Sequence, residues 1–144
     1  MGLFGASTAL PADVNLVVQV AALVLLLVSR RYSKMKRLVT HGQIMAVSVA
    51  ANIVATALVM VPSFHASLGF LAANPAATVS VVTFLHVLAG VAAIGSGLYL
   101  TYVWGFKSVV KECYRRRSWM KPAMYLWLLS DLTGAFIYVS FYLL

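Results

Sequence analysis

The chain has 144 residues, of which 62% are hydrophobic and only 10% charged, with a mean hydropathy of +0.94. A chain this small exposes too much surface to cover it in water with so few polar groups, which excludes an ordinary soluble domain and predicts an integral membrane protein. The formal charge of +8 comes from 11 basic and 3 acidic residues; its confinement to two short blocks between apolar runs excludes a nucleic-acid surface and fits a topology signal that also contacts anionic lipid headgroups.

In chain order, MGLFGASTALPADVN lacks the basic start of a signal peptide, so the apolar run after it is expected to stay as a helix. Gly2 and Ser7 only superficially resemble a myristoylation signal, because the hydroxyl stands one position too late. The first predicted span, residues 11–30, is just long enough to cross hydrocarbon about 30 Å thick. Pro11 stands at its entrance and Asp13 in its first turn, where the helix dipole favours an acid.

A basic block follows, with Arg30, Arg31, Lys34, Lys36 and Arg37. The second span covers 41–61 and is expected to stop before Pro62; the third covers 78–106. The second basic block holds Lys107, Lys111, Arg115, Arg116, Arg117 and Lys121, and the fourth span, 122–144, opens on Pro122. The predicted fold is an all-α integral membrane protein: one domain, residues 1–144, with four transmembrane helices in a compact bundle. Placing both basic blocks in the cytoplasm puts the N-terminus, the uncharged loop 62–77 and the C-terminus on the outer side, as a multi-pass protein of the cell membrane. Cys113 is the only cysteine, so no internal disulfide or thiolate metal cluster can form.

Polar residues can be ranked by depth from the cytoplasmic ends, taken near residues 29, 41, 106 and 121. At about 1.5 Å per residue, Gln19, Asn52, Ser96 and Asp131 fall into one layer near mid-membrane. An ionised Asp131 there costs roughly 2.5 to 3.5 kcal/mol, so it is expected to face the bundle interior as the neutral acid, hydrogen-bonded to Asn52 or Gln19. Interhelical glue is the leading role for this residue, with a proton relay as the alternative.

The third span carries a small-residue face: Gly90, Ala93 and Gly97, broadened by Ala89, Ala92 and Ser96. Close helix packing is expected there, as at Gly134 in span four and along Ser48, Ala51, Asn52, Ala55 and Thr56 in span two. Tyr138 and Tyr142 are expected to climb to the outer interface, where aromatic girdles lie.

His86 stands about 30 Å from Phe106 by the same count, at the outer edge of the hydrocarbon. His65, in the outer loop, and Asp13 are its nearest candidates for an outer cluster, and two imidazoles with one carboxylate form a legitimate shell for a first-row metal. Interfacial hydrogen bonding is the simpler expectation. A haem would need His65 with His86, because His41 lies at the opposite face, where it is expected to contact headgroups or cap helix two.

Three stretches, KRLVTHGQIM, FLHVLAGVAAIGSGLYL and KPAMYLWLLSDLTGAFIYVSFYLL, resemble the landmarks of a family of small four-helix membrane proteins that includes CtaM-like cytochrome oxidase assembly factors. The resemblance spans about residues 34–144 and rests on His41 with Met45, on His86, and on Pro122, Trp127, Thr133, Gly134 and Tyr138. The relatives' further histidine before the last helix is replaced here by RRRSWMK. The resemblance implies an accessory role beside a copper-dependent membrane oxidase.

No hydrolytic, nucleotide-binding or thiol motif is present. The leading expectation is therefore a structural or assembly subunit of a multi-component membrane oxidase or monooxygenase, not catalytic by itself and carrying no cofactor in the chain alone. Its partners would be other integral membrane subunits and lipids. Two alternatives stay open: a small redox protein holding haem or copper, and a proton-coupled transporter or channel using Asp131.

Overall fold

The computed structural model describes residue 5 and residues 10–104 and 115–143. The basic residues Lys107 and Lys111, the thiol of Cys113, the Gly2 and Ser7 positions and the end of span three at Phe106 lie outside the described residues. Those described form four long helices: α1 (Leu10–Lys34), α2 (Leu38–Ala73), α3 (Thr78–Trp104) and α4 (Arg117–Tyr142). All four are long and apolar enough to cross a membrane, which marks a multi-pass membrane protein. Most of their apolar surface points outward: Leu58, Leu88, Val91 and Leu132 are 68–72% exposed. Water would not tolerate so continuous an apolar exterior, whereas hydrocarbon favours it.

Neighbouring helices run antiparallel, and α4 closes the ring by packing on α1. One end of the bundle is basic. Arg31 and Lys34 lie in the last turn of α1, Lys36 and Arg37 follow at once, and α4 begins at Arg117. Cross-links confirm that these termini meet: the Arg30 guanidinium reaches Met124 Sδ at 3.9 Å, and Arg116 donates to Tyr99 Oη at 2.6 Å. The link 35–37 is short because Lys36 takes a left-handed conformation, φ 60°, which stops α1 and reverses the chain.

α2 overturns the expected stop before Pro62. Its α-helical part Leu38–Ala55 passes into a π-helical turn, Thr56–Met60, and then into Val61–Ala73. Within the turn the Val61 N–H reaches back five residues to the Thr56 carbonyl. Proline has no N–H to give and its ring collides with the carbonyl four residues back, so a widened turn just before Pro62 lets the helix continue. The other limits shift too. α1 runs to Lys34 rather than 30, and α4 starts at Arg117, with Pro122 inside it and exposed.

The core forms where small residues let helices meet. Ala22 and Leu26 of α1, Val49 of α2, Ala93 of α3 and Trp127 of α4 make one buried cluster. Trp127 Nε1 donates to the Ala93 carbonyl at 3.0 Å, so the indole is satisfied without water. The expected packing face is real. Ala89, Ala93 and Gly97 are buried, and Gly90 faces Ser130. Ala92 and Ser96 fall off it: Ala92 is exposed, and Ser96 bonds its own helix at the Ala93 carbonyl. The α2 stripe also points inward, with Ser48, Asn52 and Ala55 buried.

Candidate functional site: a cavity between the helices

Gln19, Asn52 and Asp131 of the predicted middle layer meet in a cavity of about 380 Å³ to which all four helices contribute. Asn15 and Gln19, one turn apart on α1, share a face; both line it, as do Asn52 of α2, His86 of α3, and Ser130 and Asp131 of α4. Gln19 Nε2 donates to Asn52 Oδ1 at 3.3 Å, so two members of the predicted layer pair with each other across α1 and α2. Asp131 stands at the same cavity, but no hydrogen bond reaches its buried Oδ2. The expected tie from Asp131 to Asn52 or Gln19 is replaced by this unpartnered oxygen. Ser96, the fourth member of the predicted layer, is absent from the lining.

His86 is held from one side. Its Nδ1 lies 2.9 Å from the Ser130 carbonyl and 3.3 Å from Thr133 Oγ1. A carbonyl only accepts, so Nδ1 carries a proton, and in the neutral ring Nε2 keeps the lone pair. The ring lies across Gly134: a Cβ there would stand 2.9 Å from His86 Cε1. Glycine at 134 thus makes the room in which the imidazole sits.

This contact also corrects the relative depths. His86 meets Ser130, Thr133 and Gly134, the residues flanking Asp131, so it belongs beside the polar layer and not with an outer cluster. Asp131 is about 21 Å along α4 from Arg117, deeper than a start at Pro122 implies.

The other candidates fall elsewhere. Asp13, 1% exposed, accepts a hydrogen bond from the Tyr138 hydroxyl, tying the first turn of α1 to α4. Tyr138, 6% exposed, is therefore an interior residue and not part of a surface girdle; Tyr142 stacks on it with centroids 5.3 Å apart. His65 is helical and exposed rather than in a loop. Asp13, His65 and His86 are not brought together, and among the described residues no three His, Cys, Asp or Glu side chains converge as a metal shell would require.

His41 does not cap α2, whose first turn has no side-chain cap. It clasps α1 instead: Nδ1 stands 3.0 Å from the Ser29 carbonyl and 2.6 Å from its Oγ, which donates to the His41 carbonyl at 3.2 Å. Met45, one turn on, is half-buried. Ser29 is fully buried, so Ser29→Ala, which keeps the backbone carbonyl contact to His41, is expected to lower stability by about 0.5 to 1.5 kcal/mol, the net worth of a hydrogen bond. Thermal unfolding in detergent checks this, and an unchanged midpoint would show the hydroxyl contributes nothing.

Sequence reasoning expected Asp131 and Gly134 to face inward on α4 but missed Ser130 and the inward placement of Trp127 and Tyr138. Trp127, Ser130, Asp131, Gly134 and Tyr138 recur at spacings of three and four, which is the signal that could have found them. Compared with family models, curated proteins and solved structures, the chain matches none.

Proposed function

We propose that this chain is an accessory subunit, structural or for assembly, of a multi-component membrane oxidase or monooxygenase in the cell membrane. The observation that carries the reading is architectural: apart from residue 5 and a few turn residues at helix ends, the described residues are helix, with short links at 35–37 and 74–77. Such a shape offers helix faces to other subunits and leaves no described lobe outside the bundle for an aqueous substrate site. The resemblance of the His41, His86 and α4 stretches to CtaM-like proteins supports the same role. In this reading the basic end faces the cytoplasm and anionic headgroups, as the positive-inside rule requires.

Gentle solubilisation of native membranes, followed by affinity isolation of the tagged chain, is expected to recover membrane oxidoreductase subunits in fixed ratio. Recovery of the chain alone, as a monomer at every detergent level, would overturn the reading. Elemental and optical spectra of the same preparation report whether copper or haem accompanies the complex.

A further inference from the structure

The cavity's chemistry points to a ligand of a particular charge. Among the described residues, Asp131 is the only acid that lines it, and no lysine or arginine does. The described basic residues gather at the basic end of the bundle, where α1 stops and α4 starts. Two buried side-chain atoms in the lining lack any hydrogen-bond partner, Asp131 Oδ2 and Asn15 Oδ1, and both are acceptors when Asp131 is ionised.

Several polar neighbours are already engaged. Thr83 donates to the Val79 carbonyl at 2.7 Å, Ser67 to the Phe64 carbonyl at 2.9 Å, and Tyr138 to Asp13. His86 spends its one proton on Ser130 and presents a lone pair at Nε2. The buried lining atoms that the protein leaves without a partner are thus two acceptors, one of them on the carboxyl of Asp131. Aromatic rings complete the walls: Phe64, Trp127, Tyr138, Phe141 and Tyr142.

A buried carboxylate is tolerated when an opposite charge sits beside it, and aromatic faces attract a cation that has been stripped of water. We propose that this cavity binds a protonated organic amine with an apolar body, its ammonium against Asp131. The N–H groups donate to Asp131 Oδ2 and to the acceptors near it, while the apolar body lies on the aromatic and aliphatic walls. A volume of about 380 Å³ falls within the range of about 300 to 1,000 Å³ typical of small-molecule sites. The competing occupant is an uncharged alcohol of similar shape, held by a protonated Asp131. The proposal stands whether or not the chain has a partner subunit.

The test uses the full chain in zwitterionic nanodiscs, with empty nanodiscs as the blank. The probes are 1-(aminomethyl)naphthalene and its neutral counterpart 1-naphthalenemethanol, followed by equilibrium dialysis. Saturable binding of the amine is expected at one per chain, about tenfold tighter or more than the alcohol, the margin expected of a charge-assisted contact. Asp131→Asn should abolish that preference, and Asp131→Glu should keep most of it. Equal affinity for the two probes, or a preference that survives Asp131→Asn in a protein with unchanged helical content, would overturn the proposal. So would amine uptake no greater than that of the blank. The wild-type comparison requires no variant, so it decides even where Asp131→Asn fails to fold.

Discussion

Gly97→Leu is expected to destabilise the bundle by about 1 to 3 kcal/mol or more, the cost of forcing extra methylenes into a packed core. A Cβ at this position would stand 2.9 Å from Val49 Cγ2 and 3.7 Å from the Trp127 ring. Val49 and Trp127 both belong to the buried cluster, so neither can yield without moving α2 or α4. Gly95→Leu is the matched control, because a Cβ there meets nothing within 4 Å. It should be neutral or slightly stabilising, since glycine inside a helix costs about 1 kcal/mol relative to better helix formers. Thermal unfolding of both variants in the same detergent measures the contrast. Equal midpoints would mean that α3 does not pack through this face.

Tyr138→Phe is expected to cost about 1 to 3 kcal/mol, more if Asp13 is ionised, because it removes a donor from a buried acceptor. The aromatic volume is retained, so the loss reports the hydroxyl rather than a cavity. Asp13 lies in the first turn of α1 and Tyr138 near the end of α4, so the bond pins the ends of the chain's outermost helices together. A double-mutant cycle with Asp13→Ala should give a coupling of about 0.5 to 3 kcal/mol, the span for residues in direct contact. Strictly additive effects would reject the pairing as an energetic contact.

Hydropathy made the number of helices plain, because four runs exceed the membrane's thickness and two basic blocks punctuate them. Depth counting also put Gln19, Asn52 and Asp131 at one level, and residue size marked the small face of α3. What they could not reach was rotation. In a soluble helix the apolar stripe tells which side faces in, but in lipid both sides are apolar and the stripe carries little phase. That is why Tyr138 looked like a girdle residue when it is an interior partner of Asp13, and why Ser96 was placed with a layer it does not join. The depth of Asp131 relative to His86 failed for a different reason: Pro122 suggested a helix start, yet α4 begins at Arg117 and carries Pro122 inside it. His41 was legible as a polar residue at a helix end, but its clasp on Ser29 depends on how the tight link 35–37 folds α2 back.

The π-turn of α2 makes that helix two rotors in series. Thr56–Met60 holds one residue more per turn than the α-helix around it, and one residue corresponds to about 100° of azimuth. Ser63, Phe64 and Ser67 look into the cavity while His65 looks out. Deleting one residue from the turn would therefore do more than shorten α2. It would spin everything beyond Pro62 by about a quarter of a circle, carrying that wall away from Asp131 while leaving the half nearer the basic end in phase.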